Sequence, residues 1–257
     1  MKVSELTAGE QSKPLVEARN TDPISVVLYG RKPYPGQYSI EASFARIGDS
    51  LKSVGISVTT RRARYYSRGL VARLLIMIDA ARIRNSDILH VTGDIHFSVL
   101  FASNPIVLTV HDLQMLSRLR GWRRSLLKLL WFTIPCRRAD RICVVSNATK
   151  HKLLEQVSGI EDKVSVVPSV VSEAFIPVLR PFNHSSPRIF VIGTKPNKNL
   201  PRLAAAISGV PATLVVLGHV DENLARVFSD HEIDLEVHVG VDHGEIVELY
   251  ASADLLA

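Results

Sequence analysis

Four loops of this 257-residue chain carry residue types that bind phosphate or exchange protons, and each loop follows a predicted strand. The fourth loop, from Gly193 to Asn199, places two lysines and small polar residues between a strand and a helix. A helix N-terminus and a lysine ammonium group both attract negative charge, so this loop predicts an anion-binding site. The alternative interpretation is a pair of solvated surface lysines.

The other three loops carry a glycine, an aspartate and two histidines. Gly36 lies between the first strand and the first helix, where backbone N–H groups could approach a phosphate, although a surface turn explains it equally well. Asp94 and His96 follow the third strand, and a histidine in such a loop is not expected to fill the core. His111 follows the fourth strand, where it would bind a ligand oxygen or cap the next segment.

Several widespread enzyme motifs are missing from the sequence. It contains no G-x-G-x-x-G, no glycine followed by Lys-Ser or Lys-Thr, no G-x-S-x-G and no H-E-x-x-H, which disfavours dehydrogenases, P-loop ATPases and common hydrolases. The two cysteines, Cys136 and Cys143, lie in apolar stretches, and two thiols are too few for a cysteine-built zinc site. We expect a protein without metal or cofactor in a reducing, cytoplasmic compartment.

Short apolar strands alternate with helical stretches along the chain. Runs such as ISVVLY, DILHV, IVLTV and RICVV are apolar throughout, as in strands that are buried on both faces of a parallel sheet. Function in such sheets gathers at the carboxyl ends of the strands. The predicted strands are 24–29, 56–60, 88–91, 106–110, 141–145, 163–167, 188–192, 212–217, 235–239 and 254–257. The predicted helices are 39–54, 70–83, 122–132, 148–157, 200–207, 222–228 and 243–253.

This pattern predicts an α/β chain with two successive Rossmann-like domains. We expect a flexible tail over 1–22, a complete first domain with a doubly wound parallel sheet over 23–180, a proline- and polar-rich linker over 181–187, and a partial second domain over 188–257. The second run stops a few residues into a strand. We therefore expect a truncated chain, such as a fragment, the product of an interrupted gene or half of a split protein.

The composition is that of a globular protein, with 46% hydrophobic residues, 22% charged residues and a net charge of +6. No apolar run is long enough to span a membrane, and the first residues lack the apolar core of a signal peptide. Basic residues concentrate in the stretches 61–84 and 118–138, which we interpret as basic helices. Such helices attract anionic lipid or other polyanions, or they are ordinary solvated surfaces. The absence of a nucleic-acid-binding motif disfavours a nucleic acid partner.

The four loops, in this order and in two successive α/β domains, resemble glycosyltransferase family 4, whose members have the GT-B fold. The likeness extends from Ile24 to Ala257 and rests on stretches such as DILHVTGDIHF, IVLTVHD, VIGTKPNKNLPRLAAAI and VELYASADLL. The resemblance implies transfer of a hexose from a nucleotide-diphosphate sugar to a glycan or lipid-linked acceptor. It also implies retention of configuration at the anomeric carbon.

The resemblance assigns roles to residues of all four loops. Lys198 matches a lysine that neutralises the donor diphosphate, and Thr194 stands where many members have an arginine. His111 matches the histidine that faces the transferred sugar, which makes it the candidate catalytic residue. The remaining donor-side candidates are Gly193, Lys195 and Asn199, and the candidates for the acceptor side or cleft are Gly36, Asp94, His96 and Ser146.

This chain departs from the family pattern at its end. Family members continue into a segment with two glutamates that hold the donor sugar and ribose, and this chain has no residues there. Because orientation of the donor contributes much of the rate, we expect little or no activity from this chain alone. The alternatives are a non-catalytic remnant, or a split subunit whose donor site a partner chain completes. The basic stretches would then place the protein at the inner face of the membrane.

Overall fold

The structure is a computed structural model that describes residues 23–34 and 39–257. The predicted tail over 1–22 and the loop residue Gly36 lie outside the described residues. The chain divides into two compact units that meet between Val170 and Val171. This boundary comes earlier in the chain than the linker predicted at 181–187.

The first unit contains a parallel sheet of six strands. Its strands are β1 (Ser25–Gly30), β2 (Ser57–Arg62), β3 (Ile88–Val91), β4 (Ile106–Val110), β5 (Arg141–Val144) and β6 (Val164–Val166). Its helices are α1 (Ser39–Ser53), α2 (Gly69–Ala81), α3 (Gln114–Ser117), α4 (Gly121–Lys128), α5 (Ile134–Arg138) and α6 (Asn147–Gln156). The strand order β2-β1-β3-β4-β5-β6 shows that the winding reverses between β1 and β3. In doubly wound sheets, ligands bind outside the carboxyl ends of the strands at such a reversal.

The central strands and two helices share one apolar core. Leu89 of β3, Leu108 of β4 and Ile142 of β5 have no exposed surface, and neither have Ile76 of α2 and Leu153 of α6. Burial of a side chain of this size contributes roughly 1.5–3 kcal/mol to stability. The core therefore makes the sheet a fixed platform for the loops at its carboxyl edge.

The second unit is a parallel sheet of four strands. Its elements are β7 (Arg188–Ile192), α7 (Leu200–Ile207), β8 (Thr213–Leu217), α8 (Glu222–Asp230), β9 (Asp234–His238), α9 (His243–Ser252) and β10 (Leu255–Leu256). The strand order is β10-β7-β8-β9. Asp221 and Asp242 start α8 and α9 by accepting hydrogen bonds from the backbone N–H groups of Leu224 and Glu245. The predicted α/β class, with a Rossmann-like parallel sheet in each half, is confirmed.

Two sequence-based helix predictions are wrong in detail. The basic stretch 61–84 is not one helix, because Arg61 and Arg62 continue β2 and the helix begins only at Gly69. The helix predicted to stop before Pro135 instead passes through a π-helical turn, Leu129–Thr133, into α5. Pro135 is the second residue of α5 and comes directly after the π-helical turn, an irregular turn of the kind at which a proline within a helix is accommodated.

Helix α4 lies on the surface, and none of its residues is buried. Trp122 is 71% exposed, and Leu126 and Leu129 are also exposed. The guanidinium of Arg123 lies 5.6 Å from the Trp122 ring. Among residues 23–34 and 39–257, no helix combines the length and apolar character that crossing a membrane requires.

Candidate functional site

His111 stands one residue beyond the carboxyl end of β4. Its Nε2 lies 3.0 Å from the carbonyl oxygen of Thr92, and its ring packs edge-on against Phe44 with the centroids 6.1 Å apart. Because a carbonyl oxygen only accepts hydrogen bonds, Nε2 carries the proton and donates it to Thr92. In the neutral ring the lone pair is therefore on Nδ1, which can accept a hydrogen bond from a ligand hydroxyl.

A second histidine, His90, lies beside His111 within β3. Its Nε2 is 2.8 Å from the Thr109 hydroxyl, and its ring packs edge-on against Phe44 at 5.4 Å. Burial, with a smaller contribution from the charge of His111, lowers the pKa of His90 to about 4. His90 is therefore neutral at physiological pH. His90 begins the stretch HVTGDIH that sequence reasoning singled out, but it was not selected as a site residue.

His96 lies in the core, and the expectation that a histidine of this loop stays out of the core is wrong for it. It is 3% exposed, its Nε2 donates to the carbonyl oxygen of Thr109 at 3.1 Å, and its ring packs against Phe132. The loop after β3 turns at once into a 3-10 helix, His96–Phe101, that packs against the body of the unit. Burial lowers the pKa of His96, which favours the neutral ring.

Ser146 starts helix α6 and connects that helix to His111. Its hydroxyl accepts a hydrogen bond from the backbone N–H of Thr149 at 3.1 Å and lies 3.0 Å from the Thr149 hydroxyl. The Thr149 hydroxyl in turn donates to the carbonyl oxygen of His111 at 3.4 Å. The structure thus brings Ser146 and His111 together through one threonine, which sequence reasoning did not select.

Asp94 fixes the loop after β3 from two sides. Its carboxylate, half exposed, lies 3.6 Å from Nη1 of Arg31, and its carbonyl oxygen accepts a hydrogen bond from Nε1 of Trp131. Arg31 directly follows β1, and its Nε is 3.2 Å from a carboxylate oxygen of Glu41 in α1. Arg31 and Glu41 were missed from the sequence, since one lies in the loop after the first strand and the other in the first helix, and no local pattern pairs them.

In the second unit, two glycines shape the loop that follows β7. Gly193 has a φ of +86°, and Gly218, after β8, has a φ of +148°. A Cβ atom on Gly218 would lie 3.2 Å from the Thr194 side chain, so the two loops approach more closely than a larger residue allows. The Thr194 hydroxyl donates to the carbonyl oxygen of His219 at 2.8 Å and holds the loops together. The Thr194 hydroxyl is thus committed to a loop contact.

The lysines of this loop are exposed: Lys195 directly precedes a short 3-10 turn, Pro196–Lys198, and Lys198 ends it. The Lys198 stem packs over Gly193, 3.7 Å from the position that a Cβ would take. Within residues 23–34 and 39–257, neither Lys195 nor Lys198 has a carboxylate within 4.0 Å. Asn199, in the left-handed region with a φ of +55°, then starts α7. Two uncompensated positive charges therefore stand at a strand-to-helix turn, which favours an anion.

The part of the chain that the structure describes contains no group of three or more His, Cys, Asp or Glu side chains that could hold a metal ion.

Comparison with known proteins identifies the chain. Residues 23–175 match the family model described as Glycosyltransferase Family 4, which spans more than half of the chain. The chain belongs to glycosyltransferase family 4. The family match ends shortly after the first unit, so the second unit is compared with known proteins by its fold alone. A search of curated protein sequences found no significant match.

Solved structures show that this family 4 chain has the fold of GT-B glycosyltransferases. The crystal structure of HepE from Anabaena in complex with UDP and glucose superposes with a TM-score of 0.63 at 13% identity, over 91% of this chain and 73% of the other. AviGT4, a glycosyltransferase involved in avilamycin A biosynthesis, gives 0.54 at 16% identity, over 91% of this chain and 68% of the other. A UDP-N-acetylglucosamine 2-epimerase superposes with a TM-score of 0.59 at 11% identity, over 91% of this chain and 73% of the other. Because an epimerase shares the fold, the fold alone does not define the reaction.

Proposed function

We propose that this family 4 protein transfers a hexose from a nucleotide-diphosphate sugar to a glycan or lipid-linked acceptor, with retention at the anomeric carbon. The observation that carries the proposal is the pair of lysines in the loop after β7, Lys195 and Lys198, which no carboxylate of the described residues approaches within 4.0 Å. This loop lies at the carboxyl edge of a parallel sheet, where doubly wound folds bind their ligands. HepE, which has the same fold, was crystallised with UDP and glucose.

In this reaction the acceptor hydroxyl oxygen bonds to the anomeric carbon while the bond from that carbon to the phosphate oxygen breaks. The nucleoside diphosphate leaves with the bonding electrons and gains negative charge, and the acceptor proton leaves with it. Lys198, with Lys195 beside it, would stabilise this growing charge more than the charge of the bound donor. Because the lysines supply this stabilisation, we propose that neither metal nor cofactor is needed.

His111 would orient the transferred sugar. Its Nε2 proton is committed to the carbonyl oxygen of Thr92, so Nδ1 of the neutral ring remains as an acceptor for a sugar hydroxyl. The backbone of His111 is held by Thr149, which Ser146 positions at the start of α6. A ring fixed on both sides loses little entropy when it binds a sugar, which favours precise orientation.

We also propose that the protein is cytoplasmic and binds the inner face of the membrane through α4 and its neighbourhood. Trp122 and Leu126 are exposed beside Arg120 and Arg123, a combination that suits an interface with anionic lipid. Vesicles of phosphatidylglycerol should bind the protein at low salt and shift the Trp122 emission to shorter wavelength. Phosphatidylcholine vesicles should not. Equal binding to both lipids, or unchanged binding by Trp122→Ser, would contradict the proposed contact.

The proposed function is tested by release of the nucleoside diphosphate. The full chain is incubated with UDP-glucose, UDP-N-acetylglucosamine or GDP-mannose and with a lipid extract as the source of acceptor. In line with the weak activity expected of this chain alone, we expect slow release that depends on both donor and extract. The release should be lost in Lys198→Ala and retained in Arg226→Ala, an exposed control on α8. Donor binding without release would instead support the non-catalytic remnant or the split subunit that needs a partner chain. If a folded chain neither binds the donor nor releases nucleoside diphosphate, the proposal is contradicted.

A further inference from the structure

A cavity opens at the carboxyl edge of the first sheet, where the winding reverses between β1 and β3. Its volume is about 90 Å³, enough for a phosphate-sized group. Its walls come from the loops after β1 and β3, from α2 and from the π-helical turn, and the lining residues that matter here are Arg31, Lys32, Tyr34, Arg73, Asp94 and Trp131. All of these lining residues belong to the first unit, whereas the candidate donor loop belongs to the second.

Positive charge exceeds negative charge in this cavity. Arg31 is balanced, because it pairs with Glu41 at 3.2 Å and with Asp94 at 3.6 Å. Lys32 and Arg73 have no carboxylate within 4.0 Å in the part of the chain that the structure describes. Nε of Arg73 is buried and has no hydrogen-bond partner among those residues. A buried donor without a partner is costly, and a ligand oxygen would satisfy it.

Aromatic rings, rather than carboxylates, hold these cations in place. The Arg73 guanidinium lies 4.7 Å from the Trp131 ring centroid, and the Lys32 ammonium lies 4.7 Å from that of Tyr66. Tyr66 stacks on Tyr34, with the centroids 4.8 Å apart. Cation–π contacts fix the positions of the charges without neutralising them. The cavity is therefore preorganised for an anion, and the guanidinium of arginine matches the oxygens of a phosphate.

We propose that this cavity binds a phosphate or diphosphate group of the acceptor. The inference rests on the proposed function and specifies its acceptor as a phosphorylated lipid. The lipid character is supported by α2, which carries Arg73 into the cavity and exposes Leu70, Val71 and Leu74. Leu70 is 83% exposed, and such a surface beside an anion site suits an apolar chain attached to the anion.

The loop after β3 connects this cavity to the candidate catalytic histidine. Thr92 accepts the hydrogen bond from His111, Gly93 packs against Arg31, and Asp94 lines the cavity. Two residues of extended chain span at most roughly 7 Å. A phosphate in the cavity would therefore place the first sugar of a lipid-linked glycan near His111, where the acceptor hydroxyl is needed.

The test measures binding of farnesyl diphosphate and of inorganic pyrophosphate to the full chain by calorimetry. We expect farnesyl diphosphate to bind, and Arg73→Gln and Lys32→Gln each to weaken this binding about tenfold, the effect of one charge-assisted hydrogen bond. Arg84→Gln, an exposed arginine of the same basic stretch, is the control and should bind as the wild type does. Because Arg73 packs on Trp131, the half-buried Lys32 provides a second test should Arg73→Gln fail to fold.

The outcomes separate this inference from the proposed function. Lys198→Ala should lose nucleotide binding and still bind farnesyl diphosphate. Arg73→Gln and Lys32→Gln should still bind nucleotide and should bind farnesyl diphosphate more weakly. Pyrophosphate that binds as tightly as farnesyl diphosphate would overturn the lipid acceptor. Farnesyl diphosphate that fails to bind, or that binds Lys32→Gln as it binds the wild type, would overturn the site. If only nucleotide binding fails, the result counts against the proposed function and not against the anion site in this cavity.

Discussion

Acid should destabilise the first unit through His90. This imidazole is enclosed by Thr109 and Phe44, and burial lowers its pKa from the ordinary value of 6.5 to about 4. The unfolded chain has the ordinary pKa, so it binds more protons than the folded chain as the pH falls from 6.5 to 4, and stability falls with it. At 1.36 kcal/mol for each pKa unit, the full loss is about 3 kcal/mol, of which about 2.5 kcal/mol is reached at pH 4.5.

Urea unfolding followed by tryptophan fluorescence reports on this unit, because Trp122 and Trp131 are the only tryptophans and both lie in it. The free energy of unfolding is compared at pH 7 and pH 4.5 for the wild type, for His90→Asn and for His151→Asn, an exposed histidine of α6. We expect the drop between the two pH values to be about 2.5 kcal/mol smaller in His90→Asn than in the other two proteins. An equal drop in all three would refute the reasoning.

Two further predictions concern the candidate site, and a third concerns the core of the first unit. His111→Asn keeps an oxygen near the Nδ1 position, whereas His111→Gln keeps a donor near Nε2. The His111→Asn protein should therefore retain more release of nucleoside diphosphate than the His111→Gln protein. Equal loss in both would contradict the role given to Nδ1. Gly218→Ala should weaken nucleotide binding about tenfold by pressing on Thr194, whereas Gly209→Ala, with a φ of +74° and nothing within 4 Å, should leave it unchanged in the same calorimetry. Burial raises the pKa of the Cys136 thiol to about 12, so mass spectrometry should find it unmodified by iodoacetamide at pH 8 until urea unfolds the protein.

The inner strands of the two sheets were predictable because both of their faces are largely buried. The predicted bounds 88–91, 106–110 and 188–192 agree with β3, β4 and β7 residue for residue, since each is a continuous apolar run ended by a loop. The segment between α4 and α5 was not predictable in the same way. A π-helical turn brings Trp131 and Phe132 into the core, and that packing depends on residues that are distant in the sequence.

The candidate site was predictable only where a loop position determines the chemistry. His111 follows β4 directly and Lys198 lies in the loop between β7 and α7, so both stand at the carboxyl edge of a sheet, while their roles stay predictions. His96 shares that position in the sequence, yet contact with Phe132 draws it into the core, which no local pattern encodes. The cavity around Arg73 was missed because helix α2 and the loops after β1 and β3 meet only in the folded unit.

The most direct test of the account is calorimetry of the full chain with UDP, GDP and ADP. We expect one of these diphosphates to bind, Lys198→Ala to weaken its binding at least about tenfold, and Arg226→Ala to leave its binding unchanged. Binding that Lys198→Ala does not alter, or the absence of binding by a folded chain at millimolar nucleotide, would contradict the assignment of the loop after β7 as the donor site.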